Sequence, residues 1–154
     1  MADIVMRPIG HVVGGRDVVE DDEWGSVTAR IELDLEVMEA SATEGLEAFS
    51  HVEVVFVFDR VDPASVCRGA RHPRGRGDWP LIGILGQRAK DRPNRIGLTT
   101  CGIRAVGPGW IDVVGLDAVA GTPVLDVKPS MVGFAPRGAV REPAWAQELM
   151  SDYW

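Results

Sequence analysis

Short apolar runs, each soon cut off by glycine or proline, cross almost the whole chain. The 154 residues include Gly 18 and Pro 10. That density leaves little room for long helices, because glycine loosens a helix and proline breaks one. The clearest run, His51-Val-Glu-Val-Val-Phe-Val-Phe-Asp59, is β-branched and aromatic throughout and predicts a strand over 51–59. Within 26–35, Val27, Ala29, Ile31, Leu33 and Leu35 alternate, which predicts a strand with one apolar face. Residues 4–13 predict a strand disturbed by Pro8 and Gly10, the proline marking an edge or a bulge. Further strands are expected over 81–86, 96–106, 110–117 and 123–128. Gly107-Pro108-Gly109 joins the middle two. A short helix is expected within 36–49. Another is expected from Pro143 to Trp154, with Trp145, Leu149 and Met150 on one face. Strands at short spacing, with turn chemistry between them, predict a small, mostly β barrel or sandwich, residues 1–154 forming one domain.

Several classes are excluded early. At 45% hydrophobic and 25% charged, the composition fits neither a disordered tail nor a membrane protein. No apolar run approaches the ~20 residues of a spanning helix. Met1-Ala2-Asp3-Ile4 carries no basic or apolar export signal. Cys67 and Cys101 are distant and form no Cys-x-x-Cys pair, so a reducing, cytoplasmic setting is expected. There is no phosphate-binding Walker loop, no dinucleotide fingerprint and no zinc spacing. His11, His51 and His72 are dispersed, so no metal is expected. Ser50, His51 and an aspartate assemble a triad on paper, but nothing marks a nucleophile elbow.

Charge is placed unevenly. The net charge is -7, which over a uniform surface would repel nucleic acid. From Asp17 to Glu47 the chain is acidic, with Arg30 its lone cation. From Arg68 to Arg95 it carries Arg68, Arg71, Arg74, Arg76, Arg88, Lys90, Arg92 and Arg95, half of all 16 basic residues. Arginine is favoured where planar, bidentate contacts to phosphate or carboxylate are needed. A solvated polar face is the simpler explanation. An anion-binding surface inside an otherwise acidic protein is the sharper one.

Three segments make poor sense as scaffold. Phe49-Ser50-His51 heads the central strand. His72-Pro73-Arg74-Gly75 is followed by Gly83-Ile84-Leu85-Gly86-Gln87-Arg88-Ala89-Lys90-Asp91-Arg92-Pro93-Asn94-Arg95-Ile96-Gly97-Leu98-Thr99, a strand entering a polar turn unusually rich in arginine, in which Pro93 preorganises the bend. The third runs from Gly115-Leu116-Asp117 through Ala120-Gly121-Thr122-Pro123 to Val124-Leu125-Asp126-Val127-Lys128-Pro129. It presents Asp126 and Lys128 on one face of a strand, because side chains repeat every second residue.

In this order the segments resemble the TsaA-like family, also called YaeB or TrmO. Its pattern is Phe-Ser-His, a His-Pro-Arg-Gly-like loop, Thr-Arg-Ser-x-x-Arg-Pro-Asn-Pro-Ile-Gly-Leu-Ser, and Asp-Gly-Thr-Pro-Val-Leu-Asp-Ile-Lys-Pro-Tyr. The match runs from Ile9-Gly10 to Lys128-Pro129. Departures are Gln87-Arg88-Ala89 for Thr-Arg-Ser, Arg95 for the second proline, Ala120 for the aspartate, and Ser130 for the tyrosine. A Pro-Arg-Gln stretch is replaced by Asp22-Glu23-Trp24, and the separate C-terminal domain of longer bacterial members has no counterpart. The cofactor turns are therefore better matched than the substrate-side positions.

The resemblance implies a mostly β fold, a small TsaA-like β-barrel with short peripheral helices and a C-terminal helix. It implies an S-adenosylmethionine-dependent methyltransferase, an N-methyltransferase acting as a homodimer with the cofactor near the subunit interface. The best known members methylate N6-threonylcarbamoyladenosine beside the tRNA anticodon. By the same resemblance the cofactor pocket falls to Asp22, Glu23, Trp24, Ser50, His51, Arg88, Leu98, Ala120, Gly121, Thr122 and Pro123. Trp24 would lie against the sulfonium through a cation–π contact, and Arg88 would bind the cofactor carboxylate. Arg71, Arg74, Arg92, Asn94 and Arg95 form the expected substrate-facing anion site. Asp126 and Lys128 are the catalytic candidates, orienting the nucleophile. Two alternatives stay open: a methyltransferase of the same fold acting on a small anionic metabolite, and a cofactor-binding module without catalysis.

Overall fold

A computed structural model describes residues 1–154. Its eight strands are β1 Gly10–Val13, β2 Thr28–Leu33, β3 His51–Val57, β4 Ala70–Arg71, β5 Ile82–Gly83, β6 Ile96–Gly107, β7 Trp110–Val114 and β8 Pro123–Pro129, followed by one helix, α1 Ala144–Met150. Six strands close into an antiparallel barrel in the order β1-β2-β7-β6-β3-β8, with β8 returning to β1. Closure leaves no unpaired strand edge in the barrel. β4 and β5 form a separate two-stranded hairpin beside it.

Alternation builds the core. Val52, Val54 and Phe56 point inward from β3, Ala29, Ile31 and Leu33 from β2, Ile111 and Val113 from β7, and Val12 and Val124 from β1 and β8. Each fully buried side chain of this size stabilises by about 1.5–3 kcal/mol, enough together to fix the register. Phe56 fills the space opposite Gly97, its register partner. A Cβ on Gly97 would sit 2.4 Å from the Phe56 ring, so only glycine fits there.

The element boundaries refine several expectations. The first strand begins at Gly10, with Pro8 before it. β2 ends at Leu33, because the chain then turns through Asp34. Leu35 is left 62% exposed instead of continuing the apolar face. The helix expected within 36–49 is two 3-10 turns, Ala40–Thr43 and Leu46–Ala48, separated by Gly45 at φ +88°. Thr43 fixes the first turn by donating to the Gly107 carbonyl at 2.7 Å. Residues 81–86 are β5 followed by a 3-10 turn. The proline-, glycine- and arginine-rich stretch over 62–80 contains β4, and the C-terminal helix is confined to Ala144–Met150.

Candidate functional site

The site grows from one end of the barrel, where β3 runs out past Phe56 and β6 begins. A trough of about 2020 Å³ opens there, walled by the 71–75 and 85–93 loops, the start of β6, the turn after β7 and the C-terminal tail. Typical small-molecule sites hold roughly 300–1,000 Å³, so this one has room for two reactants side by side. Its surface mixes apolar and cationic groups. Leu98 is 47% exposed and Leu85 is exposed beside it, with Phe58 behind. Arg60, Arg71, Arg74, Arg88, Lys90 and Arg92 line the walls.

The arginines divide by partner. Arg71 is bidentate to Asp91, and Arg74 is bidentate to Asp22 with a 2.8 Å contact, joining the 71–75 loop to the N-terminal acidic segment. Asp91 is thereby held below the usual carboxylate range, first by the Arg71 hydrogen bond. Arg88 and Arg92 have no carboxylate partner and hold backbone carbonyls instead. Arg88 donates to Leu98, and Arg92 to Gln87 at 2.6 Å. Buried Gln87 donates to the carbonyls of Arg71 and Ile82, stapling the β4–β5 hairpin under the loop. His72 donates through Nδ1 to the Trp79 carbonyl at 2.7 Å.

Four residues other than glycine hold positive φ: Glu23, Arg74, Asn94 and Arg95. All four fall in segments already singled out by sequence. Left-handed backbone at such residues costs on the order of 1–3 kcal/mol and tends to collect at functional sites.

The remaining candidates divide into two further groups. Ser50, His51, Asp126 and Lys128 lie outside the trough, toward the exterior of the β8-β3-β6 sheet. There Glu53 pairs in register with Lys128 and Val55 with Asp126. Ser50 Oγ and His51 Nδ1 are 2.7 Å apart, and Lys128 Nζ is 2.6 Å from Asp126, which holds the ammonium pKa above its usual value. Leu98 and Ile96 are exposed on the same exterior face and also line the trough, so trough and face are continuous along β6. Of the turn over 120–123, Thr122 lines the trough. The Ala120 carbonyl accepts from Arg60, Gly121 bonds Val12, and Pro123 faces a smaller hollow near His11. Asn94 and Arg95 sit behind the rim, with Arg95 donating to Val61. Trp24 is 3% exposed and already faces the Arg16 guanidinium at 4.5 Å, which makes it wall rather than an open aromatic platform.

One carboxylate on the trough wall is absent from the candidates drawn from the sequence. Asp117 accepts from the hydroxyls of Thr99 and Tyr153, one on each carboxylate oxygen. Tyr153 arrives on the C-terminal tail, which Trp24 N–H holds through the Tyr153 carbonyl at 2.8 Å. Burial, then Asp117, pushes the Tyr153 phenol pKa up. Only the Gly-Leu-Asp turn hinted at Asp117.

The chain is thus a small closed six-stranded β-barrel with an arginine-walled trough at one end. The chain belongs to the family described as the tRNA-methyltransferase O N-terminal domain, whose model matches residues 21–134. It is 39% identical over 99 residues to a tRNA (adenine(37)-N6)-methyltransferase of Homo sapiens, covering 64% of this chain and 22% of that protein. It is 37% identical over 95 residues to the protein of the same name in Escherichia coli (strain K12), covering 59% and 40%. The chain thus spans well under half the length of these relatives. A probable S-adenosyl-L-methionine-binding protein of Methanothermobacter thermautotrophicus is 33% identical over 135 residues, covering 82% of this chain and 90% of that one. In fold, the chain resembles the crystal structure of TrmO from Pseudomonas aeruginosa, with a TM-score of 0.70 at 24% identity, covering 91% of this chain and 62% of that one.

Proposed function

We propose that this chain binds S-adenosylmethionine in the trough and methylates a nitrogen of N6-threonylcarbamoyladenosine in tRNA. The observation that carries the reading is the continuity of the trough with the β6 exterior face, within a chain of this family. The residues present fit the cofactor. Leu98 and Leu85 offer apolar surface for a nucleobase, and Arg88 has donors free for a carboxylate after its one bond to Leu98. When bound, the cofactor supplies a methyl group on a positively charged sulfur.

The chain's own residues align and shield the reactants. Arg92 faces an anionic substrate, Arg71 and Arg74 on the same wall being paired with Asp91 and Asp22, and Asn94 and Arg95 shape the turn that presents Arg92. Two copies pair through the exterior face of β3, β6 and β8, where Val55, Val57, Ile96 and Leu98 gather apolar surface. That pairing sets Ser50, His51, Asp126 and Lys128 of one copy beside the trough rim of the other. The Asp126 carboxylate, steadied by Lys128, is the group able to take the proton from a nitrogen nucleophile. The reaction takes place in the cytoplasm, where Cys67 and Cys101 stay free thiols. No helix is long and apolar enough to cross a membrane.

A second reading, transfer to a small anionic metabolite, is supported by the altered substrate-side positions Asp22-Glu23-Trp24, Ala89, Arg95 and Ser130, the net charge of -7 opposing a polyanion such as tRNA more than a small anion. One assay separates them: methyl-labelled S-adenosylmethionine incubated with total tRNA and, in parallel, with a metabolite extract. Label in tRNA that disappears with Arg92→Ala supports the first reading. Label confined to small molecules supports the second, and tight cofactor binding without transfer leaves a binding module.

A further inference from the structure

With Arg88 taken as the carboxylate contact that the family resemblance already implies, we propose that Asp117 is the acceptor for the ammonium of the same α-amino-acid group, and that Tyr153 is the positioning residue that sets Asp117 there. The proposal rests on the cofactor reading above and names the part of the ligand that meets these charges. Asp117 lies just past β7 on the trough wall. Thr99 and Tyr153 each donate to one of its oxygens. A carboxylate oxygen has two acceptor sites, so Asp117 keeps capacity for a further donor. None of the molecule's six ion pairs uses Asp117 or Arg88.

The two groups are fixed on adjacent residues of one strand. Arg88 is held by the Leu98 carbonyl and Asp117 by the Thr99 hydroxyl. An α-amino acid carries an ammonium and a carboxylate on one carbon and needs one acceptor and one cation at close quarters. The pair supplies both, and charge-assisted hydrogen bonds are the strong kind. Tyr153 registers both neighbours, its phenol pushed up by burial and Asp117 and drawn back by Arg88.

The tyrosine comes from a segment beyond the family match, which ends at residue 134. It is held by design of the local packing. Glu23 N–H bonds the Asp152 carbonyl at 2.9 Å, and Glu148 accepts from the Trp79 indole at 2.7 Å. Gly25 permits the approach, since a Cβ there would lie 2.6 Å from the Trp154 carbonyl carbon. Tail and receptor are therefore one unit.

Calorimetry with two probes tests this. S-adenosylhomocysteine carries the amino-acid group and 5′-methylthioadenosine lacks it. Asp117→Asn and Tyr153→Phe are expected to weaken S-adenosylhomocysteine by about tenfold or more while leaving 5′-methylthioadenosine within about twofold. Thermal melting accompanies each variant, and Asp117→Asn, which keeps the shape and leaves the tail's bonds to Glu23, Trp24 and Trp79 in place, decides the matter if Tyr153→Phe loosens the tail. Equal losses for both probes, or no loss for S-adenosylhomocysteine, overturn the receptor and leave the cofactor reading intact. A wild-type chain that binds neither probe overturns both.

Discussion

At the scale of single residues, the site is organised by which charges are already spent. Arg71 and Arg74 are committed to Asp91 and Asp22, whereas Arg88 and Arg92 hold only carbonyls and remain available to a ligand. Arg88→Ala is therefore expected to weaken S-adenosylhomocysteine binding by about tenfold, an unaltered calorimetric affinity being the contrary result. The spent charges act on stability instead. Asp91 has a folded pKa below its unfolded value, so its contribution is complete above about pH 4 and is lost as pH falls through the lower folded value. Asp91→Asn should flatten the acid limb of a pH–stability curve below about pH 4 and leave its shape near neutrality unchanged. Cys101 gives a second readout. Burial, with Asp117, pushes its thiol up to about 12, so little thiolate exists near pH 8. In the native protein, alkylation at Cys101 is expected to be slow and to accelerate on unfolding; fast native alkylation would contradict its placement in the core. The arginine-rich turns were legible as chemistry because eight cations in one short stretch have no scaffold purpose. Their pairing was not, since Arg74 meets Asp22 across 52 positions and no local pattern encodes that meeting.

At the scale of elements, alternation in 26–35 and 51–59 located β2 and β3 because each buries one face. It failed at the ends. Leu35 continues the period in sequence, but the turn at Asp34 takes it out of the sheet. The 36–49 segment looked helical by composition, and Gly45 together with the Thr43 anchor on Gly107 divided it into two tight turns. Where packing is tight, the register is testable. Gly97→Ala forces a methyl into the Phe56 ring and is expected to destabilise by about 1–3 kcal/mol in urea unfolding. A neutral effect would mean that β3 and β6 are not paired at this register.

At the scale of the whole molecule, the barrel class was legible from the spacing of strands and turns, and the family from the order of its motifs. The tail was not. Its helix was expected, but not its place beside Asp117 and Trp24, which depends on the Tyr153 hydroxyl donating to Asp117 and on Glu148 and the Tyr153 carbonyl accepting from Trp79 and Trp24, all far away in sequence. In the proposed account, association of two copies brings together the two groups of site residues, in the trough and on the exterior face. Sedimentation should show a dimer that Val55→Glu converts to a monomer while preserving the barrel's circular dichroism; a wild-type monomer would remove Ser50, His51, Asp126 and Lys128 from the site. The most direct measurement is a crystal structure with S-adenosylhomocysteine. Ligand density between the Gln87–Leu98 turn and the Asp117–Thr122 segment, in contact with Arg88, is the expected result. Density at the hollow beside His11 and Pro123, or none at saturating ligand, would contradict it.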